Sequence, residues 1–275
     1  MKRLLFLFLF IGLACGAQPF TLNDPIFRGA FITPQGPPPP AFYPTNVTGA
    51  YFFLSYLDLP MNARPAAWTN ILNRAMIYTN NGTICPTNSS LGVYFNTDID
   101  TYGNFYNGGV SGGEAEWGPN AARMSNTADS VWITLNYIKG FNGGSWAAFL
   151  NTIDSVPTPF GGNSGGFYLS DVSVDQPFLY YDPGSETETT FWKAPTSRTI
   201  MDIAILRDGN IYTNGVHAGS YTAVDYPDQK LCGIGSDSYG SYAPHNTYIK
   251  FVAIYTNYNF SLADIAALHS YSTNN

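Results

Sequence analysis

The sequence contains few charged side chains, and basic residues are the scarcest of them. Its 275 residues include 12 Lys and Arg against 19 Asp and Glu, which gives a net charge of -7 at pH 7. Nucleic-acid binding requires a cluster of basic residues that neutralises phosphates, whereas the basic residues here are scattered along the chain. The composition therefore argues against nucleic acid as a partner.

Histidine and cysteine are also rare. None of the three histidines, His217, His245 and His269, stands at zinc-ligand spacing from a Glu or a Cys, so the sequence contains no zinc motif of that kind. One of the three cysteines lies in the N-terminal segment discussed next, which leaves Cys85 and Cys232 as a single candidate pair. In an oxidising compartment these two residues form either one long-range disulfide or two free buried thiols.

An apolar run over residues 4–14 follows Lys2 and Arg3, and two small residues come soon after it. The run is much shorter than the roughly 20 residues that a membrane-spanning helix needs. A basic start, a short apolar stretch and small residues are typical of a secretory signal peptide. We therefore predict that residues 1–17 are removed, that the protein is secreted or surface-associated, and that it has no transmembrane span.

Proline is concentrated after this signal. Residues 34–40 read PQGPPPP, and consecutive prolines favour an extended polyproline conformation without amide donors. We predict an extended Pro-rich segment over residues 18–45 and one folded domain over residues 46–275.

Four Asn-x-Ser/Thr sequons occur in polar, turn-like neighbourhoods. They are potential N-glycosylation sites in a host that glycosylates secreted proteins: Asn46, Asn81, Asn88 and Asn259.

Short apolar runs alternate with clusters of Gly, Pro, Asn and Asp along the domain, a pattern that predicts many strands joined by turns. Within residues 199–206, for example, Met201, Ile203 and Ile205 fall on one strand face by their spacing of two, and the sequence Asp208-Gly209-Asn210 then predicts a tight turn. The strongest runs cover residues 50–57, 92–96, 130–138, 145–153, 166–172, 178–181, 199–206, 211–213, 230–234 and 247–256.

Two segments have helical spacing instead. Residues 66–78 predict a short helix, with a strand over residues 70–78 as the alternative. Near the C-terminus, Ser261 and Asp264 have capping-box spacing, and an apolar stripe follows. We expect this second helix to pack on the edge of a sandwich, through Leu262, Ile265 and Leu268.

The order of elements in the last third carries a resemblance to a known family. The hairpin 207–215 (RDGNIYTNG) is followed by 231–235 (LCGIG), by a strand ending in 253–255 (AIY) and by the helix 262–268 (LADIAAL). This region resembles the closing part of a concanavalin A-like, LamG-type jelly roll. The resemblance implies an all-β fold of two antiparallel sheets in a β-sandwich, with a short C-terminal helix and a carbohydrate-facing surface on the concave face or the rim loops.

Some members of this superfamily are glycosidases that carry Glu-x-Asp-x-Glu on a strand. Here Glu114 and Glu116 are the nearest counterpart, since paired carboxylates are what glycoside hydrolysis requires. The third acid is absent and glycines flank the pair, so we expect solvated acids in a loop without catalysis.

Related modules often hold calcium at the rim. Asp98 and Asp100 supply alternating oxygen ligands on a predicted turn, although the glycine spacing is not that of an EF-hand. A Ca²⁺ ion is therefore a possible cofactor of this loop, and Asx-turn chemistry is the other role for these acids.

Aromatic residues, at 16% of the chain, are the feature that fits sugar binding best, since sugar rings stack on Trp and Tyr. We expect Trp132 and Trp146 to be core residues, because they lie in apolar runs. The candidate ligand-binding residues are Trp117, Trp192, Tyr239 and Tyr242.

These observations favour a secreted carbohydrate-binding or adhesion module without catalysis, whose partner is a glycan or a cell-surface polysaccharide. The alternatives are a structural surface or virion component that self-associates, and a polysaccharide hydrolase or lyase.

Overall fold

Alternating apolar residues produce antiparallel strands throughout the domain. The computed structural model describes residues 42–80, 86–95, 105–111, 114–117, 120–124, 128–137, 148–153, 166–170, 178–182, 189–193, 200–222, 230–235 and 247–275. Residues Phe42–Asn275 belong to one unit. In chain order its strands are β1 (Ala50–Ser55), β2 (Ala67–Thr69), β3 (Ile77–Asn80), β4 (Thr87–Ser89), β5 (Gly92–Phe95), β6 (Phe105–Tyr106), β7 (Gly108–Ser111), β8 (Glu114–Trp117), β9 (Ala122–Arg123), β10 (Asp129–Tyr137), β11 (Ala148–Ile153), β12 (Gly166–Ser170), β13 (Phe178–Asp182), β14 (Thr189–Lys193), β15 (Ile200–Ile205), β16 (Asn210–Thr213), β17 (Val216–Ser220), β18 (Lys230–Ile234) and β19 (Thr247–Thr256).

Two large sheets contain most of these strands. Sheet A has the order β17-β16-β15-β10-β19-β5-β4, and β1 also pairs with β19. Sheet B has the order β14-β13-β12-β11-β18-β6-β3-β2, and β9 also pairs with β18, while β7 and β8 form a separate hairpin. The chain passes from sheet A to sheet B and back several times, for example from β10 to β11 and from β14 to β15, as jelly-roll folds do. The predicted all-β sandwich with a C-terminal helix is confirmed.

The core lies between the sheets. On the inner face of sheet A, Val131, Ile133 and Leu135 alternate along β10 and are buried. Aromatic pairs join the two sheets across this core: the ring centroids of Phe52 and Tyr78 are 5.7 Å apart, and those of Phe95 and Phe105 are 6.1 Å apart. Three buried residues of the predicted strand 199–206 share this face: Met201, Ile203 and Ile205.

The outer face of sheet A is covered at its centre by the single α-helix of the described residues, α1 (Leu262–Asn274). The predicted capping box is confirmed, because the Ser261 hydroxyl accepts from the Asp264 amide and the Asp264 carboxylate accepts from the Ser261 amide. The ring of Tyr271 lies 5.1 Å from that of Phe251 on β19. Trp132 of β10 stacks on the same Phe251 ring at 5.6 Å, which confirms it as a core residue.

The predicted docking of this helix is wrong in two respects. The helix packs on the outer face of the sheet rather than on the edge of the sandwich, so that Asp202 on the polar side of β15 is buried too. Leu262, predicted in the buried stripe, is 72% exposed. Ile265 and Leu268 are buried as expected, and Tyr271, one turn further on, completes the contact instead.

The helix predicted over residues 66–78 is also wrong, since this segment is the β2–β3 hairpin. The Trp68 indole N–H donates to the backbone oxygen of Ser55 at 3.0 Å, which ties β2 to β1. The buried Asn70 side chain accepts from the amides of Phe53 and Leu72 at 2.9 and 3.0 Å. Long-range pairing and an Asn-stabilised turn therefore override the local helical spacing. The alternative strand over residues 70–78 overlaps only with the start of β3.

Both hairpins of the last third have the turns that their sequences favour. Gly209 has φ 87, and the Asn214-Gly215 pair between β16 and β17 has φ 50 and 75. Positive φ at both central residues suits a two-residue hairpin turn. The Gly215 turn lies under α1, where an added Cβ would be 3.4 Å from the His269 ring.

One polar contact joins α1 to the sheet beside this turn. Nδ1 of His269 lies 2.6 Å from Oδ1 of Asp202, whose side chain is 3% exposed. The Asp202 amide in turn donates to the Asn214 side chain at 3.1 Å. The helix, β15 and the β16–β17 turn are thereby connected.

We predict that His269→Ala lowers the free energy of unfolding by about 2 to 3 kcal/mol, because it leaves a buried carboxylate without its partner. Urea denaturation followed by circular dichroism measures this loss. The control is Leu262→Ala on the exposed side of the same helix, which should change stability by about 0.5 kcal/mol or less. Equal effects of the two substitutions would contradict the role assigned to His269.

Stability should also fall in alkali. Burial raises the pKa of the Tyr255 and Tyr271 hydroxyls well above the ordinary value of 10.0. Because these groups keep their protons in the folded protein, the stability that they contribute is complete below pH 10.0 and declines as the pH rises above it. In an absorbance titration of tyrosinate, we expect these tyrosines to ionise together with the loss of the β-sheet signal. Tyr255→Phe should remove one tyrosine from that late phase, and an unchanged late phase would contradict the assignment.

Candidate functional site

A row of half-exposed side chains crosses the outer face of sheet A beyond the part covered by α1. Tyr94 of β5 pairs with Tyr248 of β19, and their ring centroids are 4.8 Å apart. Tyr248 also pairs with Asn136 of β10, and Tyr94 pairs with Thr87 of β4. Directly paired residues of antiparallel strands share a sheet face, so these four form one cross-strand row.

The placement of this row on the outer face follows from the register. Val93 and Phe95, the neighbours of Tyr94, are buried in the core, as are Thr247 and Ile249 beside Tyr248. Side chains alternate between faces along a strand. The two tyrosines therefore point away from the core, and both are half-exposed.

Lys250 joins this row through a β-bulge. Ile249 pairs with Leu135 and Phe251 pairs with Thr134, so that Lys250 is an extra residue in β19. A bulge puts two successive side chains on nearly the same side of the strand. Nζ of Lys250 accordingly lies 5.7 Å from the centre of the Tyr56 ring, which itself contacts the outer-face ring of Phe251 at 5.5 Å.

Gly92 makes room for the lysine. It has φ +116, and an added Cβ would lie 2.9 Å from the Ile249 oxygen and 3.1 Å from Cγ of Lys250. Gly92 is two residues from Tyr94 in β5 and thus on the same face. The lysine stem therefore passes beside the start of β5, two residues from Tyr94. We call the set of Thr87, Tyr94, Asn136, Tyr248 and Lys250 the outer-face patch.

Lys250 is the charged member of this patch. Its side chain is largely covered, with 6% of the residue exposed, and burial lowers the pKa of its ammonium group. Within the described residues the ammonium group has neither an ion pair nor a hydrogen bond, and its recorded contact is with the face of the Tyr56 ring. The patch thus combines aromatic surface, an amide, a hydroxyl and one cation without a carboxylate partner.

The patch lies at one end of sheet A, where several strands begin or end together. Phe95 at the end of β5 pairs with Thr247 at the start of β19, and β10 ends against the same residue. Residues 96–104 continue the chain from β5, and residues 236–246 lead into β19. The segments that contain the predicted calcium ligands and the predicted binding tyrosines are therefore attached at this end.

The structure places the predicted carboxylate pair in a strand. Glu114, Glu116 and Trp117 belong to β8, in the hairpin with β7, so the predicted loop at this position is wrong. The pair occupies alternate positions of the strand. Trp192 lies on β14, the edge strand of sheet B, opposite Leu179.

Other predicted site residues lie outside the described residues. These are Asp98 and Asp100, Tyr239 and Tyr242, Cys85, Asn81 and the predicted core residue Trp146. Cys232 is a residue of strand β18. The calcium, disulfide and loop-tyrosine assignments stay predictions.

Within the described residues, no three His, Cys, Asp or Glu side chains gather in a potential metal-binding group. No helix in the described part of the chain has the length and apolar character needed to cross a membrane.

The tyrosine pair was not among the residues predicted from the sequence. Both residues lie in runs that were predicted as strands, and each interrupts an otherwise buried alternation. A tyrosine at an outward position of a strand was the available signal for an exposed aromatic surface. The two tyrosines form one surface only because the register of β5 and β19 pairs them, and the sequence of one strand does not reveal that register.

No protein-family model matches the sequence, and no curated protein matches it either. Among solved structures, the chain is similar to a Trypanosoma rangeli sialidase in complex with 2,3-difluorosialic acid, with 18% identity and a TM-score of 0.49 over 80% of this chain and 33% of that one. It is also similar to domain 4 of AbnA, a GH43 extracellular arabinanase from Geobacillus stearothermophilus in complex with arabinotriose, with 14% identity and a TM-score of 0.48 over 80% of this chain and 98% of that one. A third similar structure is the receptor-binding domain of botulinum neurotoxin type G, with 14% identity and a TM-score of 0.43 over 82% of this chain and 51% of that one.

The chain spans about a third of the length of the sialidase chains. At these identities and TM-scores, the similarities assign neither a family nor a ligand to the protein.

The described sequons differ in their exposure. Asn46 and Asn259 are exposed, whereas Asn88 is fully buried. The Asn88 amide nitrogen donates to the backbone oxygens of Tyr56 and Leu59, both at 3.0 Å. A glycan on this nitrogen is incompatible with the folded structure, because it would replace a donor and would have no space.

We predict that protein from a glycosylating host carries no glycan on Asn88. Peptide mass mapping tests this directly. Asn88→Gln should leave the glycan mass unchanged while it lowers the melting temperature, since the hydrogen bonds of a buried side chain are disturbed. The matched change Asn259→Gln at an exposed sequon should cost little stability. A glycosylated and natively folded Asn88 would contradict the assignment.

Proposed function

We propose that the protein is a secreted or surface-displayed glycan-binding module without catalytic activity, and that the outer-face patch is its sugar-binding surface. In this proposal residues 1–17 are a signal peptide, residues 18–45 a Pro-rich spacer and residues 46–275 a LamG-like domain. The basic start and short apolar run of the N-terminus support secretion. The two-sheet architecture and the motifs of residues 207–268 support the LamG-like assignment.

The observation that carries the binding proposal is the pair Tyr94 and Tyr248. Sugars present apolar C–H faces that stack on aromatic rings, while their hydroxyls need hydrogen-bonding partners at the edges. The row supplies two adjoining tyrosine rings with an amide at one end and a hydroxyl at the other. Because it is built on paired strands of a sheet, its side chains are held in place before a ligand binds.

The two chain segments attached at this end of the sheet extend the proposal. Asp98 and Asp100 are proposed calcium ligands, and Tyr239 and Tyr242 are proposed to add contacts to the same ligand, because their segments adjoin β5 and β19. Trp117 and Trp192 lie elsewhere in the fold, on β8 and β14, and remain candidates for a second binding surface. The Cys85–Cys232 disulfide and glycans on the exposed sequons are further features that a secreted protein would have.

We predict that Tyr248→Ala reduces glycan affinity at least tenfold and that Tyr94→Ala has a similar effect, since each removes part of the stacking surface. A glycan array identifies the ligand, and isothermal titration calorimetry on the best hit measures the affinity. The matched control is Tyr212→Ala, which removes a half-exposed tyrosine from β16 of the same sheet, outside the patch. Equal losses in all three variants would overturn the assignment of the patch.

The same array separates the other functions. Binding that chelator abolishes would support the calcium proposal for the Asp98 loop. Release of reducing or unsaturated ends that disappears in Glu114→Gln or Glu116→Gln would support an enzyme instead. Absence of both binding and release, together with self-association in sedimentation, would support a structural surface component.

A further inference from the structure

We propose that Lys250 makes the outer-face patch selective for glycans that carry an isolated negative charge, such as a single carboxylated sugar on an otherwise neutral chain. This inference rests on the proposed glycan-binding function and specifies its ligand class. It starts from the placement of the lysine, which is accompanied by a bulge in β19, a glycine in β5 and the lack of a charge partner within the described residues.

The first of these features is the bulge in β19. If β19 paired with β10 without an extra residue, Lys250 would be the residue opposite Thr134, and Phe251 would turn toward the core. The insertion instead keeps Phe251 on the outer face under α1, beside Lys250. Lys250 therefore lies on the same face of sheet A as the tyrosine row, and its ammonium group lies 5.7 Å from the centre of the Tyr56 ring.

The second feature is Gly92, which has no side chain. Gly92 has a backbone conformation that favours glycine, and any Cβ there would be 3.1 Å from Cγ of Lys250. The lysine stem passes through this space between the end of β1 and the start of β5. Its covering by neighbours leaves it fewer conformations than a surface lysine has, so less entropy is lost when it binds an anion.

The third observation is the lack of a charge partner. Structural lysines with little exposure are normally paired, yet the described residues provide no carboxylate to this ammonium group. Nor is its nitrogen among the fully enclosed polar atoms of the described residues that lack a partner. The stem is covered and the ammonium group is not fully enclosed, an arrangement that would let the cation meet an anion at the surface of the patch.

The net charge of the protein limits what that anion can be. At -7 the whole chain repels densely negative polymers, and one lysine does not compensate for many phosphates or sulfates. A single carboxylate on a neutral glycan meets little of this repulsion and can form a charge-assisted hydrogen bond with Lys250 while neighbouring sugars stack on the tyrosines.

The test compares ligand pairs that differ by one acidic sugar. Suitable pairs are lactose with sialyllactose, and xylotriose with its glucuronic-acid-substituted form; together they distinguish the two sources of carboxylate. Calorimetry at low salt should show that the acidic member of at least one pair binds about tenfold more tightly, and this ratio should shrink as salt is added.

The deciding variant is Lys250→Met, which keeps a long apolar stem and removes the charge. We expect the ratio of acidic to neutral affinity to fall to about one, while Lys250→Arg keeps the preference. Arg64→Met is the control, since it removes one positive charge from an exposed position and changes the net charge equally. Circular dichroism melting verifies that each variant is folded.

The outcomes separate this inference from the function beneath it. A wild-type protein that binds both members of every pair equally would overturn the charge selectivity and leave glycan binding intact. A preference for the acidic member that survives in Lys250→Met would also overturn it. Failure of the wild type to bind any glycan on the array would overturn the proposed function and this inference together.

Discussion

The pairing of β19 with its neighbours is the constraint on which the rest of the structure depends. One edge of this strand pairs with β10 along its length, whereas the other edge is divided between β5 and β1. The bulge at Lys250 lies at the point of division. Because side chains alternate with a period of two, this one extra residue resets which side chains face the core. Ile249 before it and Val252 after it are both buried inside the sandwich.

The same reset explains why the outer face of sheet A has two different halves. Beyond the bulge, Phe251 and Tyr255 point outward and need cover, which α1 and the N-terminal part of the described domain provide. The Tyr255 hydroxyl donates to the Pro44 oxygen at 3.1 Å, and Tyr43 packs edge-on against Tyr271 at 5.6 Å. Before the bulge, the outward residues are tyrosines and polar side chains, which need no such cover. A dry half that anchors the helix thus adjoins a half-exposed one.

The sequence predicted those features that local physics decides. The capping box at Ser261 and the turn at Gly209 depend on a few neighbouring residues, and both are present. The strand at residues 199–206 was predicted from its alternation, because a sheet with a buried face imposes that pattern. These elements need no knowledge of what lies across the sheet.

The failures concern partners that are distant in the chain. Trp68 and Ile71 have helical spacing, but Trp68 is bonded to Ser55 and the amide of Ile71 to the oxygen of Phe53, so β1 determines their conformation. Leu262 fits the apolar stripe of the helix and still faces solvent, because the helix packs through its second and third turns. The position of Lys250 was equally hidden, since a bulge is a property of two strands and not of one.

The candidate site shows how this limit applies to function. Predictions from local composition selected residues such as Asp98 and Tyr242, because aromatic and acidic clusters are recognisable without a fold. The strand residues Tyr94 and Tyr248 become a surface only when 153 intervening residues bring β19 beside β5, and their polar neighbours come from β4 and β10. A sheet face of this kind fixes the position of each ring, whereas loops fixed only at their ends are free to vary in length and sequence. In the proposed function, the strand residues therefore determine whether a sugar ring binds, and the attached segments determine which one.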